Sequence, residues 1–381
     1  MLASLLILIF IRPFISSFAF PCLNSVYSVL LLIFLIIWLI LKGIPLIKIQ
    51  TFKYPLTLFC LALILSLIFS KDKLNSTVEL YKYISGLLLF LIAAFLSNRD
   101  KPIVIRTMVL AGLIISLLAI YQYFFGFQHI SDYIAKERIA EPFILDYVSR
   151  KRVFFPFVTP NTLAGYLIMI IPLALTCKDR IWFMIPLSLA LLLTKSLGAL
   201  LSIFLGLGIY FYLPRPFAKV RGLQGRFGKR KIIFLFGLAI IIGLVFIVRT
   251  IAQKQHLQPI FSTVMRWNYW KDTLEIIKAH PLSGIGIGNF NLMQSRYAHN
   301  SYLQVWAEMG ILGIAAFLWL IISVFKSALG NMKNSVNKNQ IAGLITANIV
   351  FLIHNFVDFN FFLPEVALIF WVILGLSLSS K

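Results

Sequence analysis

The sequence predicts an all-α, polytopic integral membrane protein of about twelve transmembrane helices, each of the roughly 20 residues that cross a bilayer. Three observations carry that prediction. Only 13% of the 381 residues are charged and 60% are hydrophobic, whereas a soluble domain carries about 25% charged residues. Apolar runs of spanning length recur from end to end. Basic residues also fall unevenly between the loops that join those runs, as they do in membrane proteins.

The predicted spans are 2–20, 24–42, 54–70, 78–97, 103–125, 156–176, 180–194, 196–213, 232–250, 303–327, 340–357 and 361–379. The first is interrupted by Arg12-Pro13 and reads as a span, not as a cleaved leader. With the N-terminus inside, Lys42, Lys48, Lys53, Arg99, Lys101 and Arg106 fall in early inner loops, and many more follow at 215–231. The short outer loops hold only Lys71, Lys73, Lys82 and Lys195. This asymmetry places both termini inside. The three cysteines, Cys22, Cys60 and Cys177, lack metal-ligand or CxxC spacing and read as small core residues.

The basic run "RPFAKVRGLQGRFGKRK" at 215–231 reads as a topology anchor near anionic lipid. No nucleic-acid partner is expected.

Two outer segments, 126–155 and 251–302, are far longer than a connector between spans needs to be. Both are basic, with Lys136, Arg138, Arg150, Lys151 and Arg152 in the first and Lys254, Arg266, Lys271, Lys278 and Arg296 in the second. Arginine forks match phosphate oxygens in geometry and charge, so such loops suit a phosphate-bearing lipid. Contact with ordinary headgroups gives a similar pattern.

The second long loop, between spans nine and ten, holds "STVMRWNYWKDTLEIIKAH", which reads as an amphipathic helix. Ser262 is its candidate N-cap, and Pro281 ends it. Arg266 and Trp270, four apart, lie along one face. "GIGIGNF" follows. It lacks the GxGxxG spacing and the βαβ setting of a nucleotide fingerprint. Gly284, Gly286 and Gly288 instead permit a tight, irregular backbone over a cavity.

His299-Asn300 opens the tenth span, and on that helix Glu308 falls about 180° from His299 at roughly 100° per residue. A histidine at a span's end is commonly interfacial. Glu308 inside an apolar run is a candidate for function or for structural pairing. His354 and Asp358, four apart, share a helix face near the outer end of span eleven and read as a supporting pair, with no third metal ligand in view.

These passages together resemble the O-antigen ligase and O-antigen polymerase family of bacterial membrane glycosyltransferases. His299-Asn300, then nine residues, Gly310, two residues and Gly313 is similar to the family's H[NSQ]-x9-G-x-x-[GTY] element. "RWNYWKDTLEIIKAHPLSGIGIGNF" resembles the arginine-tryptophan helix and glycine loop of its large periplasmic segment. "RVFFPFVTPNTLAGYL" at 152–167 resembles a further motif, with Phe155 where glycine and Thr159 where asparagine is usual. "LTKSLGALLS" at 193–202 and "HNFVDFNFFLP" at 354–364 complete an ordered series.

The resemblance implies transfer of a glycan from undecaprenyl diphosphate to a hydroxyl of a glycan, lipid or protein acceptor, at the periplasmic face of the bacterial inner membrane. No cofactor and no metal are implied. Catalytic roles fall to His299, Arg266 and Arg152. Substrate contacts are expected from Trp270, Gly284, Gly286, Gly288, Asn289, Asn300 and Asn161, and support from Glu308, His354 and Asp358. Polymerases share these motifs. A transporter of lipid-linked or anionic solutes would show internal repeats and midplane polar groups, and neither is apparent.

Overall fold

The computed structural model describes residues 1–43, 50, 52–137, 142–213, 237, 261–293, 295–334 and 337–378. The predicted ninth span apart from Gly237, the basic run at 215–231, and Arg138 and Lys254 lie outside the described residues.

The described residues are helical, with no strand among them. In chain order the helices are α1 (Leu2–Ile11), α2 (Pro21–Lys42), α3 (Lys53–Ile68), α4 (Lys73–Phe95), α5 (Lys101–Tyr121), α6 (Phe127–Glu137), α7 (Pro142–Ser149), α8 (Pro160–Ala174), α9 (Arg180–Leu193), α10 (Leu197–Tyr212), α11 (Phe261–Ala279), α12 (Ser301–Asn334), α13 (Lys338–His354) and α14 (Pro364–Leu376).

Among the described residues, four helical stretches are long and apolar enough to cross a membrane: Pro21–Lys42, Lys73–Phe95, Lys101–Glu137 and Ser301–Met332. Shorter apolar helices, Lys53–Ile68, Pro160–Ala174 and Pro364–Leu376 among them, fall where further spans are predicted. The segment 126–155 departs from the expected loop. A π-turn at Gln122–Gly126 carries α5 on into α6, and α7 follows, so most of it is helical.

Helix caps explain several boundaries. Asp72 caps α4 by accepting from the backbone N–H groups of Leu74 and Asn75. Thr159 caps α8 through Thr162 N–H, with Pro160 at the first helical position. Arg12-Pro13 does break the first run, as a 3₁₀ turn at Arg12–Phe14. The buried Arg12 guanidinium then pairs with Glu365 on α14 at 3.3 Å, both 1% exposed. In a low-dielectric interior either charge alone would be costly, so the pair ties the N-terminal hairpin to the bundle.

The bundle is built around α4 against α14, α3 against α12, and α13 against α8 and α10. Phe59, Phe90, Phe317, Phe361, Phe370 and Trp371 form a continuous aromatic cluster between them. Gly86 is required at its centre, because a Cβ there would run into the Trp371 indole. The cysteines differ from expectation: Cys22 is exposed and Cys60 and Cys177 are half-buried. On a membrane protein the outer surface of a helix is itself apolar, so a cysteine needs no core position.

Candidate functional site

The site is assembled from four segments: the α7–α8 connection, α11, the N-terminal approach to α12, and the turn after α13. Arg152 sits in the first. Its Nε donates to the Thr194 carbonyl at 3.1 Å and its Nη2 to Asn161 Oδ1 at 3.2 Å. The guanidinium lies over the Tyr147 ring, 5.4 Å from its centroid. Burial pulls Arg152 below its ordinary pKa, while Tyr147 and Asp146 push it back. A half-buried arginine fixed at three points is a preorganised cation. Lys195, in left-handed backbone geometry, supports this corner by donating from Nζ to the Arg150 carbonyl at 2.6 Å.

Arg266 lies half-buried in the first turns of α11. Its charge acts on Tyr147, Arg152, His299 and His354, which places it among them. The helix Phe261–Ala279 falls where a helix is predicted and stops before Pro281, but its apolar residues are not gathered on one face, so the expected amphipathic character is weak. Ser262 lies inside the helix and is not its cap. Trp270 is half-buried against Trp267, their ring centroids 6.4 Å apart.

His299 departs from the sequence expectation. It precedes the helix, which begins at Ser301, and holds φ at +52°. Reasoning from its face on that helix therefore does not apply. Its ring stacks on Tyr269 at 5.5 Å and meets the Phe359 ring edge-on at 4.7 Å. Burial draws its pKa down to about 4, with Asp358 pushing back and Arg266 lowering it further. His299 is therefore neutral at pH 7. Its Nδ1 is buried and has no hydrogen-bond partner among the described residues. Asn300 caps α12, its Oδ1 accepting from Tyr302 and Leu303 N–H at 3.0 and 3.1 Å.

His354 ends α13, so Asp358 stands in the turn beyond and does not share a helix face with it. The turn nonetheless brings Asp358 Oδ2 to 3.7 Å from His354 Nε2, both side chains 1% exposed. That distance allows charge attraction but exceeds a hydrogen bond. Asp358 Oδ1 accepts from Phe359 N–H at 2.8 Å, and its carbonyl accepts from Ser301 Oγ at 3.1 Å, which joins this turn to the start of α12. Asn161 and Asn360 close the far side, with Asn360 Nδ2 donating to the Asn161 carbonyl at 3.4 Å. Among the described residues no group of three or more His, Cys, Asp or Glu side chains is arranged to hold a metal ion.

The structure thus brings Arg152, Asn161, Arg266, His299, His354 and Asp358 into one region. The glycine loop occupies a different place. Gly284, Gly286 and Gly288 all have positive φ. Gly284 presses on the Glu308 backbone, Gly286 on Ser70, and Gly288 on Asn75 and Glu79. The Asn289 amide is engaged by Ser70 Oγ at 2.6 Å and by the Ile285 carbonyl at 3.1 Å. These contacts hold the loop against α12 and the start of α4. Glu308, 1% exposed, accepts from Gln304 at 3.1 Å and is not bonded to His299.

Tyr147, Tyr269, Phe359 and Gln304 were not legible as site residues. Aromatic and amide side chains recur throughout this chain, and only the fold selects these. Gln304 left one faint signal, its i,i+4 spacing to Glu308.

The model of the O-antigen ligase family matches residues 182–318, a stretch that holds Arg266, the glycine loop, His299, Glu308 and Gly310. Among curated proteins none matches the chain. Over residues 182–318 the chain is thus similar to the O-antigen ligase family, which supports the resemblance there, while the motifs at 152–167 and 354–364 lie outside the match.

Proposed function

We propose that the protein transfers a glycan from undecaprenyl diphosphate to a hydroxyl acceptor at the periplasmic face of the inner membrane, in the manner of a ligase. The observation that carries this reading is one neutral, half-buried histidine beside Arg266 and Asp358, with Arg152 close to Arg266, at the start of a membrane helix within the matched stretch.

The chemistry follows from the parts. The acceptor oxygen attacks the anomeric carbon as the bond to the diphosphate breaks. The hydroxyl proton passes to the neutral His299 imidazole, and the diphosphate leaves on its lipid with one more negative charge. Arg152, fixed by Thr194 and Asn161, and Arg266 stabilise that charge. Entry of the anion offsets Arg266 and so raises the basicity of His299 when a base is needed. Asp358 stabilises the imidazolium that forms. Arginine charge takes the place that a metal ion holds in other phosphate chemistry.

About twelve spans, of bilayer-crossing length, and both termini inside complete the proposal. A polymerase would use the same groups with a growing glycan as acceptor. The His299-Asn300 element is the feature that favours the ligase reading. Deleting the gene in its own host and analysing envelope glycans tests the assignment. The acceptor should lose its glycan while lipid-linked donor accumulates. Unchanged glycan products would overturn it.

A further inference from the structure

Both neighbours of His299 are hydrogen-bonded to the helix that follows. Asn300 caps α12. On the other side, Ala298 donates its backbone N–H to Gln304 Oε1 at 3.1 Å. Gln304 Nε2 in turn donates to Glu308 Oε1 at 3.1 Å, one helical turn further on. Gln304 is 2% and Glu308 1% exposed, so neither amide nor carboxylate exchanges partners with solvent.

The partners fix which way the amide points. A backbone N–H can meet only an acceptor, so Gln304 must turn its oxygen to Ala298, which leaves its NH₂ to donate to Glu308. Glu308 is itself anchored, because its carbonyl accepts from Ser66 Oγ at 2.9 Å and from Gly286 N–H at 3.0 Å. His299 needs this support. A left-handed backbone is strained for a non-glycine residue, and relaxation would swing the ring out from between Tyr269 and Phe359.

We propose that Gln304, seated on Glu308, is a positioning residue that holds His299 in its strained backbone and so aims the imidazole at the acceptor hydroxyl. The proposal rests on the glycan-transfer reading above. It also gives the buried Glu308 a role, as the fixed end of a three-residue chain that begins at the glycine loop.

The test uses the full-length protein in nanodiscs. Gln304→Met keeps the volume and removes both hydrogen bonds. Its single-turnover transfer should fall about 10²-fold, the effect expected of a displacement near 1 Å, with donor affinity held within about twofold. The exchange variant, Gln304→Glu with Glu308→Gln, restores an acceptor for Ala298 and a donor between the two helical positions. It should recover most of the rate lost by either single change. In parallel, carbethoxylation of His299 read by mass spectrometry should be faster in Gln304→Met than in wild type and slow again in the exchange variant. Wild-type transfer and protection in Gln304→Met would overturn the proposal. So would an exchange variant, present at wild-type abundance, no better than the single changes. A wild-type protein that transfers no glycan yet shows the same protection pattern would refute the function and leave the positioning intact.

Discussion

Gly286 donates its backbone N–H to the carbonyl of Glu308 at 3.0 Å, one residue after Ile285 does the same to Ala307 at 2.9 Å. These bonds repair a break. Gly310, with φ +66° and ψ −172°, interrupts α12 and leaves carbonyls of the preceding turn without helical partners. The glycine loop supplies the missing donors, and Pro281 accepts from Ile311 N–H at 3.0 Å on the other side. The loop thereby welds the two halves of the helix on which His299 depends.

That weld is testable through Gly310. A Cβ there would run into the Leu282 carbonyl, and the backbone sits at positive φ. Gly310→Ala should destabilise the protein by at least about 1–3 kcal/mol, the usual cost of such strain. Thermal unfolding in detergent should show a clear drop in midpoint, and transfer should fall with it. An unchanged midpoint would show that the loop and the break are independent.

The arginines separate charge from geometry. Arg266→Lys keeps the positive charge and loses the fork, so transfer should drop sharply at unchanged membrane abundance. Arg152→Lys should lose one of the contacts to Thr194 and Asn161 and behave alike. Full activity in Arg266→Lys would mark it as an interfacial anchor.

The pH profile reports on His299. Its pKa in the folded protein is lowered to about 4, from an ordinary value near 6.5. The neutral form is the active base, so the rate at subsaturating donor should hold as pH falls through 6.5 and decline only on approaching 4. The same depression means that any stability linked to His299 is complete above 6.5 and is lost as pH falls toward 4. An acid limb near 6.5 would place the ring in solvent.

Topology is checked by reporter fusions. A fusion after Asn98 should read cytoplasmic and one after Ser149 periplasmic. The same compartment for both would remove the outer-face site.

Hydropathy and loop charge made the helical membrane class and most helix positions readable, because lipid forces the backbone to satisfy itself within helices. Arg152, Arg266 and His299 were picked out through their motifs, and the fold brings them into one region. The conformation of His299 was not, since a left-handed residue before a cap leaves no periodic trace. The role of the glycines also escaped. Positive φ could be expected from the residue type, but the close contacts join segments far apart in sequence: Gly284 to Glu308 on the broken α12, Gly286 to Ser70, and Gly288 to Asn75 and Glu79. The pairing of His354 with Asp358 survived for a different reason than spacing, through a turn and not a helix face.

The most direct measurement is single-turnover transfer from a labelled undecaprenyl-diphosphate glycan by purified protein in nanodiscs, with a chelator present and donor affinity measured separately. Wild type should cleave the bond to the diphosphate and place the glycan on the acceptor. His299→Ala should slow that step by about 10²–10⁴-fold, as loss of a general base does, with donor binding nearly unchanged. A donor that crosses the bilayer intact, or a fully active His299→Ala protein, would contradict the account.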